Sequence, residues 1–186
     1  MEAALGDGWR VVVDGLNNRL TDIPDPQDWG TAPARDFDGT AGIGAAVARE
    51  MPLDLVIVML GTNDAKAGFD RDATRIAEGA MTVARIAAES TGVATTYAAP
   101  RVLVVAPPPF DPFGVEGIGQ FHAGGDVNSA GFAAAFAEAG ASAGIPVFDA
   151  GAAMGTSDGI DGVHSSAEDH VLLGTALAIE VRALLE

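Results

Sequence analysis

Short apolar runs alternate along the chain with longer stretches in which apolar residues recur every three or four positions. Four runs are nearly continuous in apolar residues and lie at 9–13, 53–60, 101–106 and 145–149. Strands that are covered on both faces have this pattern, because neither of their faces meets water. The runs therefore predict four parallel β-strands.

Helical patterns fill the intervals between these runs. The spacing of apolar residues predicts helices at about 38–50, 72–90 and 127–143, and a last helix at about 167–185. Strands that alternate with helices favour a doubly wound parallel sheet with helices on both faces. We therefore predict an α/β protein with a flavodoxin-like, three-layer α/β/α fold.

The size and composition of the chain are those of one globular domain over residues 1–186. Of these residues 48% are hydrophobic and none is cysteine, which excludes disulfides and thiol catalysis. The formal charge of −16 repels nucleic-acid phosphates and anionic membrane surfaces. No apolar run approaches the roughly 18–20 residues of a membrane span. We expect a soluble, cytoplasmic protein without nucleic-acid or membrane partners.

Two tetrapeptides carry the candidate chemistry. Gly61-Thr-Asn-Asp64 directly follows the second apolar run, and Asp161-Gly-Val-His164 precedes the last helix. An acid three residues before a histidine can hold the imidazole in one tautomer and stabilise its protonated form. The Asn63 side-chain amide is an uncharged hydrogen-bond donor. Each tetrapeptide can also be an ordinary turn with helix-capping residues, and that interpretation stays open.

Together, the two tetrapeptides resemble the SGNH hydrolase superfamily, also called GDSL-like lipases and esterases, and within it the bacterial arylesterase-like branch. The resemblance covers nearly the whole chain. It implies that His164 is the base of a Ser-His-Asp triad, that Asp161 orients it, and that Asn63 lines the oxyanion hole. The implied activity is that of a serine esterase acting on small acyl or aryl esters.

A third segment of the resemblance, Asp14-Gly-Leu-Asn-Asn-Arg19, follows the first apolar run. Asn18 stands where the family has a glycine whose backbone N–H also donates to the oxyanion, and Leu20 stands where a threonine is usual. A backbone N–H survives a change of side chain, and Asn adopts left-handed geometry more readily than most residues. The resemblance thus implies that Asn18 is a second oxyanion donor, although the hexapeptide alone favours an ordinary turn.

The nucleophile block of the family is missing from the sequence. In SGNH hydrolases a Gly-Asp-Ser motif follows the first, central strand, and none of the six serines here lies in such a motif. We therefore expect an N-terminally incomplete esterase domain, with a seam where the central strand is absent, between 9–13 and 54–60. One alternative is an inactive fragment or pseudoenzyme that acts as a binding or scaffold protein. The other is an unrelated α/β module that matches by chance.

Two irregular segments, 20–35 and 107–125, follow strands on the side of an α/β sheet where ligands bind. Their apolar side chains predict the walls of a substrate pocket, formed by Trp29, Phe110, Phe113, Ile118 and Phe121. The same side chains can instead pack against a neighbouring subunit of a homo-oligomer. We expect no cofactor and no metal site, because the acidic residues near the C-terminus lack the spacing of an EF-hand loop.

Overall fold

The computed structural model describes residues 1–26, 33–90, 97–111, 124–157, 159 and 161–186. Within these ranges three strands form the sheet, namely β1 (Leu55–Val58), β2 (Arg101–Ala106) and β3 (Val147–Asp149). Seven α-helices accompany them: α1 (Glu2–Leu5), α2 (Gly39–Glu50), α3 (Ala73–Glu89), α4 (Gly125–Ala130), α5 (Phe132–Ala143), α6 (Ala150–Met154) and α7 (Ala167–Leu185).

The sheet is parallel, and its strands follow one another in the order β1-β2-β3. In the register of the sheet, Leu55 lies opposite Arg101 and Val104 lies opposite Val147. These three strands were predicted from their continuous apolar runs, and the structure confirms them. Residues Val102 to Ala106 of β2 are all buried, as expected for a strand with neighbours on both sides and helices on both faces.

Alternate side chains of the strands enter two separate apolar clusters. Val56, Val58, Val102 and Val104 pack with the apolar faces of α2, α3 and α5. Leu55, Ile57, Leu103 and Val105 pack with residues of α1, α6 and α7 on the opposite face. The protein is therefore a three-layer α/β/α sandwich, as the sequence predicts.

The helices follow the predicted pattern with one break. α2, α3 and α7 lie within a residue of their predicted bounds, whereas the stretch predicted at 127–143 is divided at Gly131 into α4 and α5. Glycine is a weak helix former, and a Cβ at Gly131 would lie 3.1 Å from the Cβ of Ala73. The glycine between α4 and α5 thus allows the backbone there to lie close to the start of α3.

The prediction of a strand at 9–13 is wrong for this structure. The segment has no regular secondary structure, although its Trp9 and Val11 pack into the same cluster as Leu55 and Ile57 of β1. A strand exists only when a neighbour accepts and donates its backbone hydrogen bonds. Among the described residues no strand lies between this segment and β1, so the apolar run is not paired in the sheet.

None of the helices in the described ranges is both long enough and apolar enough to cross a membrane.

Candidate active site

Asp161 and His164 are joined by a short hydrogen bond. The Asp161 Oδ2 lies 2.6 Å from the His164 Nδ1, while its Oδ1 accepts the backbone N–H groups of Val163 at 2.9 Å and His164 at 2.8 Å. Gly162 has a φ of +73°, a conformation that glycine adopts without strain. The predicted contact between the acid and the histidine is therefore present, and it is built by one tight turn.

The environment of Asp161 favours its ionised form. Partial burial alone would raise its pKa, but the hydrogen bonds from the backbone and ring of His164 and from the Val163 N–H outweigh that effect. Together with the charge of the ring, they lower the pKa of Asp161 to about 2. The carboxylate thus carries its negative charge at neutral pH.

An ionised carboxylate can only accept hydrogen bonds, so the Nδ1 of His164 that faces it carries the proton. The Nε2 of the neutral ring is then left with its lone pair. The His164 side chain is 78% exposed, whereas that of Asp161 is 15% exposed. The arrangement presents an oriented base to solvent, which is what proton abstraction from a hydroxyl requires.

The turn that carries His164 is attached to the carboxyl end of the sheet. The Asp111 N–H, in the loop after β2, donates to the Gly162 carbonyl at 2.8 Å. Val163 is buried in the same cluster as Phe110 and Ala65, which follow β2 and β1 respectively. The candidate base therefore lies at the edge where ligands bind in open α/β sheets.

The Asn63 side chain faces the segment that contains Asn18. Its Nδ2 donates to the carbonyl of Arg19 at 3.2 Å. Thr62 makes no side-chain capping bond, although it is the N-cap of the short 3₁₀ turn Asn63–Ala65. The tetrapeptide thus connects two loops of the candidate site instead of capping a helix through its threonine.

Asn18 adopts the left-handed conformation, with a φ of +63°. Its Oδ1 accepts a hydrogen bond from the Nζ of Lys66 at 3.3 Å. Lys66 is 6% exposed, and its burial lowers its pKa against the opposing effect of Asp25 and Asp64. Asparagine therefore occupies a glycine-type backbone position here and is anchored by its own side chain.

A buried polar network beneath these loops was missed in the sequence. The Asp64 carboxylate is fully buried and accepts the Thr21 N–H at 3.1 Å and the Thr21 hydroxyl at 2.6 Å. Burial raises the pKa of Asp64, against the hydrogen bonds from Thr21 and the charge of Arg71. Arg71 also lies 2.6 Å from Asp22. The network ties residues 21–22 to the loop after β1, and no local pattern marks it because its partners are remote in sequence.

Three serine hydroxyls of the described residues have partners other than the candidate base. The Ser129 hydroxyl accepts the Phe110 N–H at 2.9 Å, and the Ser90 hydroxyl donates to the Ile86 carbonyl at 2.7 Å. Ser166 forms a capping box with Asp169 at the start of α7, as its position before the helix predicts. Within the described ranges no serine hydroxyl is hydrogen-bonded to His164.

The predicted pocket residues are described only in part. Phe110 is 3% exposed and packs in the cluster between the sheet and α5, so its ring belongs to the core. The other four predicted wall residues lie outside the described residues, namely Trp29, Phe113, Ile118 and Phe121. Among the described residues no three acidic or histidine side chains converge as metal ligands do.

The sequence model of the GDSL-like lipase/acylhydrolase family matches residues 3–170. Est24, a carbohydrate acetylesterase from Sinorhizobium meliloti, is 39% identical with a TM-score of 0.89, over 98% of this chain and 82% of Est24. The native aryl esterase of M. smegmatis is 37% identical with a TM-score of 0.89, over 99% of this chain and 83% of its own. No curated protein sequence matches. The chain belongs to the GDSL-like lipase/acylhydrolase family.

Proposed function

We propose that this chain carries the base and the oxyanion donors of a serine esterase that cleaves small acyl or aryl esters. Membership of the family, and likeness to an aryl esterase and a carbohydrate acetylesterase, support an esterase or acylhydrolase function. The observation that carries the proposal is the 2.6 Å contact between Asp161 and a His164 side chain that remains 78% exposed. Such a pair is the proton-transfer part of a serine triad.

In the proposed mechanism, a serine hydroxyl attacks the ester carbonyl while the Nε2 of His164 accepts its proton. Asp161 keeps the proton on Nδ1 and stabilises the imidazolium. The carbonyl oxygen becomes an anion that accepts hydrogen bonds from the Asn63 amide and the Asn18 N–H. His164 then protonates the leaving alcohol, and water deprotonated by His164 hydrolyses the acyl-serine.

The serine of this mechanism is supplied by a Gly-Asp-Ser block outside the 186 residues. Two observations support this part of the proposal. The sequence has no Gly-Asp-Ser motif. In addition, the solved relatives contain residues that have no counterpart here, since the chain spans 82% to 83% of their lengths.

The test compares the 186-residue chain with the same chain extended ahead of Met1 by an apolar strand, a Gly-Asp-Ser turn and a helix. We expect a fluorophosphonate probe to label the extended chain, which also releases p-nitrophenol from p-nitrophenyl acetate in a burst. The 186-residue chain shows neither, because a serine hydrolase without its nucleophile retains only about 10³–10⁴-fold catalysis over water.

Two histidine variants of the extended chain provide the control. His164→Ala abolishes the burst, whereas His170→Ala, an exposed residue of α7, leaves it unchanged. A folded extended chain without labelling would favour the alternative of an inactive binding or scaffold protein. Stoichiometric labelling of the 186-residue chain at one of its own six serines would contradict the proposal that the nucleophile lies outside these residues.

A further inference from the structure

Lys66 is the single lysine of the sequence, which has 10 basic residues in all. Only 6% of it is exposed, although lysine is almost never buried unless its ammonium group has partners. Burial lowers its pKa, against the opposing effect of the charges of Asp25 and Asp64. Its Nζ also donates to the side-chain Oδ1 of Asn18 at 3.3 Å, 48 positions away in the chain. The lysine therefore lies where two loops of the candidate site meet.

The backbone of Asn18 is held in the left-handed conformation. Its φ is +63°, a conformation that costs free energy in every residue except glycine, although asparagine tolerates it better than most. Such a conformation persists where the surrounding structure fixes it. Lys66 holds the Asn18 side chain, and the carbonyl of the next residue, Arg19, accepts from the Asn63 amide at 3.2 Å. Two side chains of the loop after β1 thus fix the turn at 18–19.

The turn leaves one backbone donor available. Among the described residues the N–H of Asn18 has no hydrogen-bond acceptor, whereas the N–H of Arg19 donates to the Leu16 carbonyl at 3.2 Å. Asn18 is only partly buried, so a ligand can reach its N–H. A donor stabilises an oxyanion most when it is held in place before the charge develops. The value of this N–H as a donor therefore depends on the contacts that fix the φ of Asn18.

We propose that Lys66 is a positioning residue for the oxyanion hole, which holds Asn18 in the left-handed conformation through the hydrogen bond to its side chain. This inference rests on the proposed function, since it takes the Asn18 N–H as an oxyanion donor. In this role Lys66 touches neither the ester nor the serine. A glycine at position 18 adopts the same φ without a side-chain anchor. The effect of Lys66 therefore disappears when residue 18 is glycine.

The first test measures the order of the Asn18 N–H in the 186-residue chain by ¹⁵N relaxation. We expect an order parameter of about 0.85 in the parent chain and below about 0.6 in Lys66→Met, which keeps an unbranched side chain and removes the donor. The control is Arg85→Met, which removes an exposed cation of α3 and leaves the order unchanged. Unchanged order in a folded Lys66→Met variant would overturn the proposal.

A second variant tests the same contact from its other end. Asn18→Ala removes the acceptor and leaves Lys66 beside its carboxylates, so it disturbs the buried charges less than Lys66→Met does. We expect the N–H of residue 18 to lose order in this variant as well, because alanine tolerates a positive φ less than asparagine. An alanine N–H as ordered as that of the parent would contradict the anchoring role of the Asn18 side chain.

The third test measures the acylation rate constant and the dissociation constant of p-nitrophenyl acetate from the burst of the extended chain. Removal of one whole oxyanion donor costs about 10²–10³ in rate, so we expect Lys66→Met to slow acylation at least about tenfold. The dissociation constant should change less than about twofold, because the donor binds the oxyanion of the transition state and not the ester. Arg85→Met should change neither quantity.

Glycine at position 18 provides the rescue. We expect Asn18→Gly to acylate within about threefold of the parent rate, and the double variant with Lys66→Met to acylate within about twofold of Asn18→Gly. A merely structural role of Lys66, or a direct effect of its charge on the oxyanion, would cost as much beside glycine as beside asparagine. An equal loss in both backgrounds would therefore overturn the proposal.

The measurements separate this inference from the proposed function. A folded extended chain without a burst contradicts the proposed function alone, because the order of the Asn18 N–H is measured without catalysis. An active extended chain whose acylation rate survives Lys66→Met contradicts the positioning role alone.

Discussion

Asp161 divides its two carboxylate oxygens between the backbone and the imidazole. Oδ1 accepts two backbone N–H groups and fixes the turn, whereas Oδ2 accepts the proton of His164 Nδ1. An asparagine at this position keeps one carbonyl oxygen for the turn. Its amide group would then face Nδ1 as a donor, which favours the opposite imidazole tautomer. The substitution therefore leaves an acceptor for the backbone hydrogen bonds of the turn but changes the tautomer of the imidazole.

We predict that Asp161→Asn lowers the free energy of unfolding by about 1.5–3 kcal/mol at pH 7, the range for hydrogen bonds to charged groups. The pKa of Asp161 is about 2 in the folded state, below the value of about 3.9 in an unfolded chain. Its contribution is therefore complete above about pH 4 and is lost as the pH falls towards 2. Urea unfolding at several pH values between 7 and 3 measures the difference.

The control for this prediction is Glu138→Gln, which removes an exposed carboxylate on α5. Its difference from the parent chain should be small throughout the same pH range. If the cost of Asp161→Asn were equally large at pH 3 and pH 7, the ionised form of Asp161 would not be the source of the stability.

Single residues also show which contacts cannot be predicted from the local sequence. Asp64 has the type and position of a capping residue, yet it is fully buried and accepts hydrogen bonds from Thr21, 43 positions away. By contrast, the contact of Asp161 with His164 was predictable because a turn of three residues creates it. Local geometry can be predicted from spacing, whereas a buried ion network depends on partners that only the fold brings together.

At the scale of secondary-structure elements, the strands also depend on partners that the local sequence does not reveal. The runs that became β1, β2 and β3 and the run at 9–13 are equally apolar, but only the first three have neighbours to pair with. A continuous run of apolar residues indicates that a segment is buried. Strand pairing depends in addition on a second segment that exchanges backbone hydrogen bonds with it. The predicted seam between two strands is not formed as such, because 9–13 is not a strand and β1 is an edge of the described sheet.

The N-terminus of α2 provides a prediction for one element. A Cβ at Gly39 would lie 2.7 Å from the Thr21 carbonyl oxygen and 2.8 Å from that of Leu20, and backbone cannot move aside as a side chain can. We expect Gly39→Ala to destabilise the protein by about 1–3 kcal/mol in urea unfolding. Gly42→Ala, three residues further along the same helix, meets no atom within 4 Å and should stabilise by about 0.5–1 kcal/mol.

These two variants together test the docking of α2. Both replace glycine by alanine in one helix, so the intrinsic gain in helix propensity is shared and the difference between them reports the contact with residues 20–21. If Gly39→Ala were as stable as Gly42→Ala, the close approach of α2 to the loop before it would be wrong.

The molecule as a whole carries a large excess of negative charge. The chain has 26 acidic and 10 basic residues, and two of its cations, Lys66 and Arg71, are turned inward toward buried carboxylates. Three acidic residues, Asp25, Asp64 and Asp169, are buried as well, so the described surface keeps the excess of carboxylates that the composition indicates. Like charges on a compact surface repel one another and favour the expanded unfolded state.

We predict that added salt stabilises this protein. Raising NaCl from about 10 mM to about 300 mM shortens the Debye length from roughly 30 Å to below 8 Å, which screens repulsion between distant carboxylates. The melting temperature should rise by about 2–4 °C, corresponding to about 1 kcal/mol for a chain of this size. Differential scanning calorimetry at pH 7 measures the shift, and an equal osmolality of glycerol serves as the uncharged control. A melting temperature that falls with NaCl would mean that attractive ion pairs, and not the excess of carboxylates, dominate the electrostatics of the fold.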